Sequence, residues 1–286
     1  MAKTTITKRE LRKFIKAALF EDVHEGDITS LACISADSRS RARLLCKDTG
    51  VLAGVKFAEQ VFAFCDPTYT IEFFKKDGDL VQYGEIAFIV ECNTRALLQA
   101  ERLVLNTMQR MSGVATMSKK FVDAVAGLPV KILDTRKTTP LFRMLEKWAV
   151  RIGGCYNYRD GLYDRFMPKD NHVDACGGTK QAIERILAYK KEHGITLETT
   201  VEVRNLDELR VVLETGGVER VMLDNMSLEM MREAVIIANK QLEVEASGGV
   251  TLQTVRAIAE TGVDFISSGA LTHSAQSLDL SLKVMK

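Results

Sequence analysis

The chain has 286 residues, of which 46% are hydrophobic and 27% are charged, a balance typical of globular proteins that excludes a disordered or fibrous chain. Lysine and arginine (39) nearly balance aspartate and glutamate (38), so the overall charge gives no attraction to nucleic acid or to an anionic membrane. At roughly 150 residues per domain, the length fits two domains or one long α/β barrel.

The sequence has no sign of membrane insertion or of a disulfide framework. No charge-free apolar run reaches the roughly 18 residues of a membrane span, and residues 1–10 lack the apolar stretch of a signal peptide. We therefore expect a cytoplasmic protein. The six cysteines form no CxxC pair and have no metal-like spacing to the four histidines, so we expect reduced thiols packed as small hydrophobic groups.

The first part of the chain mixes helices with short strands. An amphipathic helix is predicted over 7–20, where Thr7 and Glu10 have the spacing of a capping box. Helical spacing also predicts helices over 56–65, 94–111 and 116–126, the last two separated by a break near Ser112-Gly113. Short segments rich in β-favouring residues predict strands over 41–46, 69–74 and 86–91.

From Pro129 onward, short apolar segments alternate with helical patterns. The predicted strands lie at 130–133, 165–168, 200–203, 221–223, 242–246 and 265–267, and the predicted helices at 179–190, 206–214, 228–240 and 252–260. This alternation indicates a parallel sheet, either open and doubly wound or closed into a barrel. The last four strand ends recur every 21 to 23 residues, and that regularity favours the barrel.

Charged residues follow several of these predicted strands. The strand-end set comprises Arg136, Lys137, Lys169, Glu202 and Asp224. Taken singly, each fits a solvated loop end. In a barrel, however, all carboxyl ends of the strands open on one face, so these charges would meet in one pocket. Three cations with two acids suit an anionic substrate and a group that develops positive charge or needs a divalent cation.

Two glycine-bearing turns follow the last two predicted strands, at Ser247-Gly248-Gly249 and Ser268-Gly269-Ala270. Barrels commonly bind phosphate at this position through backbone N–H groups. Glycine at a strand-to-helix turn also relieves backbone strain without any ligand. The occurrence of two such turns favours a phosphate site.

Basic residues are concentrated between positions 136 and 159. They are Arg136, Lys137, Arg143, Lys147, Arg151 and Arg159. Guanidinium groups recognise carboxylates through paired hydrogen bonds, so converging arginines suit a dicarboxylate. Arg143 and Lys147 fit a solvated helix over 141–151. Arg136 and Arg159 lie in predicted turns beside strands, which makes them the better candidates for binding.

A series of short motifs extends over nearly the whole chain. They are EGDITS at 25–30, ER at 101–102, LN at 105–106, SGVAT at 112–116, DTRKT at 134–138, KDNH at 169–172, LDN at 223–225, EASGG at 245–249 and GALTHS at 269–274. The series resembles the quinolinate phosphoribosyltransferase family. The resemblance implies an enzyme of NAD synthesis that transfers phosphoribosyl from phosphoribosyl pyrophosphate (PRPP) to the pyridine nitrogen of quinolinate, with decarboxylation to nicotinate mononucleotide.

The resemblance also implies an architecture. An amino-terminal α/β sandwich would occupy residues 1–112, with residues 272–286 returning to it. An α/β barrel of about seven parallel strands would occupy residues 113–271. The family forms homodimers with shared active sites, in which Arg102 would come from the partner, and it uses Mg²⁺.

Roles for individual residues follow from the same resemblance. Arg102, Arg136 and Arg159 would hold the two carboxylates of quinolinate. Lys137 and Lys169 would line the charged groups of the substrates and take part in catalysis. Glu202 and Asp224 would face the ribose hydroxyls and Mg²⁺ and would also be catalytic. The 5-phosphate would lie on Ser247, Gly248, Gly249, Gly269 and Ala270.

Tyr158 is the main departure from the family pattern, because it stands where the family often has histidine. A phenol donates one hydrogen bond but carries no charge near neutral pH. Its assignment to carboxylate binding therefore rests on position alone. Ser268 is a smaller departure, at a position where the family commonly has valine.

Three other functions are compatible with the residues. A relative could ribosylate nicotinate without decarboxylation, although several arginines favour a substrate with two carboxylates. A phosphate-binding lyase or aldolase could use Lys169 as a Schiff base, which requires an uncharged amine. A non-catalytic binding protein could share the scaffold, although the full set of strand-end charges disfavours it.

Overall fold

The computed structural model describes residues 6–285. Two compact units are present, and we name them after their sheets. The barrel unit contains 120–138 and 155–273, and the described part of the sandwich unit contains 6–119, 139–154 and 274–285. The domain limits inferred from the sequence stay a prediction. A single helix runs through the inferred limit at residue 112.

Helices and strands occupy most of the described chain. The helices are α1 (Lys8–Val23), α2 (Ile28–Cys33), α3 (Val55–Cys65), α4 (Thr94–Ala124), α5 (Arg143–Ile152), α6 (Asp170–Cys176), α7 (Thr179–His193), α8 (Leu206–Thr215), α9 (Leu228–Ala238), α10 (Val255–Ala259) and α11 (Ala270–His273). The strands are β1 (Arg39–Cys46), β2 (Gly50–Val51), β3 (Thr70–Phe73), β4 (Leu80–Val81), β5 (Ile86–Asn93), β6 (Lys131–Leu133), β7 (Thr200–Val203), β8 (Arg220–Asp224), β9 (Glu243–Ser247), β10 (Phe265–Ser267) and β11 (Leu280–Val284).

The sandwich unit is built on an antiparallel sheet. Its strand order is β11-β1-β5-β3, so the last strand of the chain pairs with the first. Alternate residues of β1 are buried, as expected for a strand with one face on a core. Helix α1 begins with the predicted capping box, in which the Thr7 hydroxyl accepts from the Glu10 N–H and the Glu10 carboxylate accepts from the Thr7 N–H.

The predicted break at Ser112-Gly113 is wrong, since α4 runs unbroken through both residues. Its serine is buried and bonds the backbone of Ala53, accepting from the N–H at 2.9 Å and donating to the carbonyl at 3.2 Å. A Cβ on Gly113 would lie 2.0 Å from the Gln276 carbonyl oxygen. The glycine is therefore explained by the close approach of the carboxyl-terminal segment, and it does not end the helix.

The barrel unit contains seven parallel backbone segments around one interior. Five form a regular sheet in the order β6-β10-β9-β8-β7. Tyr156 adds a sixth segment through a parallel bridge to Leu133, and Phe166 adds a seventh through a parallel bridge to Thr199. The predicted α/β barrel of about seven strands with an amino-terminal sandwich is confirmed.

Several predicted elements of the barrel unit differ in length from the observed ones. Residues 165–168 form a single bridge and no full strand, in agreement with the missing N–H of Pro168. Helix α9 ends at Ala238 because Asn239 and Lys240 both have positive φ angles. The helix predicted over 252–260 spans only Val255–Ala259.

All six cysteines are free thiols. Cys46, Cys92 and Cys155 are buried, as predicted, whereas Cys33 is exposed. Burial raises the pKa of Cys46 to about 11 and that of Cys92 to about 12, so both stay protonated near neutral pH. Among the described helices, none is long and apolar enough to cross a membrane.

Candidate active site

The two predicted acids lie on neighbouring strands and point to the same side of the sheet. Glu202 of β7 is in register with Met222 of β8, and Asp224 is two residues further along β8. Residues two apart in a strand share a face, and Met222 packs into the buried cluster with Leu133, Tyr158 and Phe265. Glu202 and Asp224 therefore face the barrel interior at the carboxyl half of their strands.

Lys169 forms an ion pair with Glu202. Its Nζ lies 2.6 Å from Glu202 Oε2, and the glutamate side chain is only 8% exposed. The lysine immediately precedes α6, at the end of the segment that pairs beside β7. The structure therefore brings together two of the predicted catalytic residues, one from each of two adjacent segments.

Arg136 and Arg159 are close enough to influence each other electrostatically. Burial lowers the pKa of the Arg159 guanidinium, and the positive charge of Arg136 lowers it further, while Glu202 acts in the opposite direction. Two like charges held near each other favour a bound anion, because an anion relieves their repulsion. The charges of Arg136 and of Glu202, the partner of Lys169, are thus within electrostatic range of Arg159.

Asp134 holds the segment that carries Arg159, a role that the sequence did not reveal. Its buried carboxylate accepts from the Tyr158 N–H at 2.8 Å and from Asn157 Nδ2 at 2.6 Å. It directly follows β6 and precedes Arg136 by two residues. One carboxylate therefore ties the two arginine-bearing segments to each other. The only available signal was its place as the first residue of the DTRKT motif.

Lys137 packs against the second glycine-bearing turn. A Cβ on Gly269 would lie 2.9 Å from Lys137 Cδ and 2.8 Å from His273 Nε2. The Thr272 hydroxyl donates to the Lys137 carbonyl at 2.8 Å and fixes this arrangement. The Ala270 N–H donates to the Ser268 hydroxyl at 3.3 Å. The structure therefore places Lys137, Gly269 and Ala270 in one region.

The first glycine-bearing turn needs both of its glycines. Gly248 has a φ of +94°, and a Cβ there would lie 2.2 Å from Asn225 Oδ1. Gly249 has a φ of +58° with no atom within 4 Å of the Cβ position. The Ser247 carbonyl accepts from the Asn225 N–H at 2.9 Å, which ties the turn to the residue after Asp224. The open space over Gly249 leaves room for a ligand to approach the backbone.

Tyr158 is buried inside the barrel. Its hydroxyl donates to Thr200 Oγ1 over 2.8 Å, and its ring lies 5.4 Å from the Arg165 guanidinium and 5.3 Å from that of Arg220. Thr200 and Arg220 are the first residues of β7 and β8. The phenol therefore points toward the amino-terminal ends of the strands, and its assignment to carboxylate binding stays a prediction.

Two further basic residues, Arg102 and Lys147, belong to the sandwich unit. Arg102 is exposed on α4 of the sandwich unit, and its role stays a prediction. The expectation of a solvated helix is wrong for Lys147, because the lysine is only 3% exposed. Helix α5 has an apolar face that includes Leu145 and Ala149, and packing of this short helix also covers Lys147.

Glu202 and Asp224 are the residues that fit a magnesium ion. Among the described residues, no group of three or more His, Cys, Asp or Glu side chains is arranged to hold a metal. Magnesium often takes only one or two protein carboxylates, with water and substrate phosphates as its other ligands. Two carboxylates on one face match that requirement, and an ion at Glu202 would share its ligand with Lys169.

Comparison with known proteins decides the family. The sequence family of the quinolinate phosphoribosyl transferase C-terminal domain matches residues 114–283, and that of the N-terminal domain matches residues 27–112. The chain belongs to the quinolinate phosphoribosyl transferase family. The predicted resemblance is confirmed, and it covers both halves of the chain.

Individual members of the quinolinate phosphoribosyl transferase family are similar to nearly the whole of this chain. The nicotinate-nucleotide pyrophosphorylase (carboxylating), chloroplastic, of Arabidopsis thaliana is 45% identical over 96% of this chain and 83% of its own. The quinolinate phosphoribosyltransferase (decarboxylating) 2b, mitochondrial, of Nicotiana tabacum is 43% identical over 96% and 82%. The crystal structure of NadC from Streptococcus pyogenes is 37% identical over 99% of this chain and 100% of its own, with a TM-score of 0.91.

Proposed function

We propose that this chain transfers phosphoribosyl from PRPP to the pyridine nitrogen of quinolinate and releases pyrophosphate and CO₂, leaving nicotinate mononucleotide. The observation that carries the proposal is the Asp134 carboxylate, which accepts from the Tyr158 N–H at 2.8 Å and so holds the segments of Arg136 and Arg159 side by side. Quinolinate has two carboxylates, and each guanidinium can bind one of them through paired hydrogen bonds. Family membership gives the reaction that uses this acid.

In the transfer step, the pyridine nitrogen forms a bond to the anomeric carbon of the ribose as the bond from that carbon to pyrophosphate breaks. Positive charge develops on the ribose ring, and Glu202 and Asp224 stabilise it because they face the same interior. Negative charge develops on pyrophosphate, where Lys137 and Lys169 balance it. The backbone turns at Ser247-Gly248-Gly249 and Gly269-Ala270 hold the 5-phosphate.

Decarboxylation follows from the charge that the transfer creates. Once ribosylated, the ring nitrogen is cationic, so the electron pair of the breaking carbon–carboxylate bond can flow into the ring. A proton from water then replaces CO₂ on that carbon. Arg136 and Arg159 orient the ring for both steps.

We extend the proposal to a magnesium ion at Glu202 and Asp224. When bound, it supplies positive charge for the departing pyrophosphate. The two carboxylates provide oxygen ligands, the donor type that Mg²⁺ prefers. A binding titration by calorimetry tests the assignment: Mg²⁺ should bind more weakly to the Asp224→Asn protein in the presence of PRPP, and equal affinity would contradict it.

We further propose a homodimer in which the partner's Arg102 completes each active site. The exposure of this arginine on α4 supports the idea, since a side chain on a surface can reach a neighbouring subunit. We also propose a cytoplasmic location, supported by six cysteines that are all free thiols. Sedimentation and cell fractionation test these two statements.

Steady-state assays with PRPP and Mg²⁺ test the reaction itself. Quinolinate should yield mononucleotide and CO₂, whereas nicotinate should be a poor substrate because it has one carboxylate for two arginines. Turnover of nicotinate without CO₂ would instead establish the related activity. Borohydride should trap no adduct at Lys169, because an ammonium paired with Glu202 is not the uncharged amine that a Schiff base needs.

A further inference from the structure

A polar cluster lies inside the barrel, and most of its members have no part in the proposed reaction. Its members are Tyr158, Arg220, Glu245 and Ser267, all less than 9% exposed, and Glu245 is fully buried. Buried charges are costly unless each is paired and hydrogen-bonded. This cluster satisfies that condition through direct contacts among its own members, and we name it the interior cluster.

Glu245 is the centre of the interior cluster. The Ser267 hydroxyl donates to its Oε1, and Arg220 NH1 donates to its Oε2 at 3.1 Å. The Tyr158 ring lies 5.3 Å from the Arg220 guanidinium, so it packs against the group that is bonded to this carboxylate. Burial raises the pKa of Glu245, while the Arg220 charge and these hydrogen bonds act in the opposite direction. One carboxylate therefore connects β8, β9 and β10, and its partner Arg220 packs against Tyr158.

Each of these contacts lies next to a part of the candidate active site. Glu245 precedes Ser247 of the first glycine-bearing turn by two residues, and Ser267 precedes Gly269 of the second by two. Tyr158 directly precedes Arg159. The cluster is thus placed where it can set the positions of both phosphate turns and of a quinolinate arginine.

The Tyr158 ring is held firmly in this place. Arg220 lies over the Phe265 ring at 3.7 Å and 5.3 Å from the Tyr158 ring, so its guanidinium packs between two aromatic groups. Stacking of this kind restricts the Tyr158 ring, and the hydrogen bond from its hydroxyl to Thr200 restricts the side chain further. A side chain restrained at both its ring and its hydroxyl transmits that restraint to the backbone of the next residue, Arg159.

We propose that Glu245 is a positioning residue that fixes the phosphate turns through Ser267 and fixes Arg159 through Arg220 and Tyr158. This inference rests on the proposed function, because it links Ser267 to the binding of PRPP and Tyr158 to the binding of quinolinate. A merely structural role would lower thermal stability and leave the ratio of the two KM values unchanged. A positioning role changes that ratio, because Ser267 leads to the turns that bind PRPP and Tyr158 leads to the arginine that binds quinolinate.

Four variants test the proposal in the full-length protein, with KM for both substrates, kcat and Tm as readouts. Ser267→Ala should raise the KM for PRPP roughly fivefold, the effect of one lost hydrogen bond, with the KM for quinolinate within twofold of wild type. Tyr158→Phe should raise the KM for quinolinate roughly fivefold and leave the KM for PRPP within twofold of wild type. Glu245→Gln, which leaves Tyr158 and Ser267 in place, should raise both. Glu243→Gln is the matched control: its carboxylate pairs with Arg220 at the half-exposed amino-terminal end of the same strand, and the substitution should change neither KM.

The outcomes separate the two hypotheses. An active wild-type protein whose variants change Tm alone, or change both KM values by the same factor in every case, overturns the positioning role and leaves the proposed function intact. If Glu245→Gln fails to fold, the opposite effects of Ser267→Ala and Tyr158→Phe still decide the matter. A folded wild-type protein that makes no mononucleotide overturns the proposed function and this role with it.

Discussion

Lys169 Nζ and Glu202 Oε2 lie 2.6 Å apart, so a cation that precedes α6 is paired with a nearly buried acid on β7. Neutralising either partner leaves the other charge without its counterion in a partly enclosed site. Because both groups are proposed to act on the same transition state, the pair should behave as a unit in kinetics.

Lys169→Met should lower kcat by about 100-fold, comparable to the loss of one group that stabilises developing charge. The double variant with Glu202→Gln should be no worse than the more severe single variant. Lys180→Met is a matched control, since Lys180 pairs with Glu184 at 3.9 Å on an exposed helix face, and it should retain wild-type turnover. Additive losses in the double variant would show that the two groups act independently.

Arg159→Ala should mainly weaken quinolinate binding, because each charge-assisted hydrogen bond contributes about 1.5 to 3 kcal/mol. That corresponds to a rise in KM of roughly 10- to 150-fold. Arg210→Ala removes an exposed arginine that pairs with Asp207 on α8 and serves as the control. Steady-state kinetics at saturating PRPP measure the effect, and an unchanged kcat/KM for quinolinate would remove Arg159 from the site.

Gly249 and Gly194 offer a matched pair for the phosphate turn. Their φ angles are +58° and +63°, and neither has an atom within 4 Å of a Cβ position. Alanine should therefore cost the same stability at both, about 1 to 2 kcal/mol for the left-handed conformation. Only Gly249→Ala should raise the KM for PRPP, since Gly194 ends α7. Equal KM values in the two variants would argue against phosphate binding at Gly249.

Glu146 should be important for the stability of the sandwich unit. It is fully buried and accepts from Arg110 at 2.7 and 2.9 Å, from the Thr139 N–H and from the Thr139 hydroxyl. Glu146→Leu should destabilise the protein by about 3 to 5 kcal/mol, the effect of leaving a buried partner charge uncompensated. Glu260→Leu, on a half-exposed pair with Arg256, should cost under about 1 kcal/mol. Chemical denaturation measures both, and equal losses would contradict the assignment.

Sharing of active sites between subunits predicts complementation. Arg102→Ala and Asp224→Ala proteins should each be nearly inactive, and a mixture refolded together should recover activity because some heterodimers contain one intact site. Native mass spectrometry confirms that heterodimers have formed. Heterodimers without activity would mean that both residues serve the same subunit.

Much of the fold could be predicted because its signals are local. The capping box at Thr7 and Glu10 and the apolar segments of β7, β8 and β9 each lie within a short stretch of sequence. The break at Ser112-Gly113 was predicted wrongly because the reason for that glycine lies in Gln276, more than 160 positions away. Sequence patterns alone do not show which distant backbone approaches a helix.

The same distinction applies to the candidate site. The charges at the strand ends were predicted because a barrel brings those ends together whatever the details of packing. Glu245 was missed because alternating valine and glutamate in β9 is typical of a strand with a solvated face. Its burial depends on Arg220 and Ser267, which come from two other strands. The inward placement of Tyr158 likewise depends on Thr200, 42 residues further along the chain.

The most direct measurement uses quinolinate labelled with ¹⁴C in the carboxylate next to the ring nitrogen. The account predicts one labelled CO₂ per mononucleotide formed in the presence of PRPP, and none without PRPP, because the ring must become cationic before that bond breaks. Labelled CO₂ released without PRPP, or mononucleotide that retains the label, would contradict it.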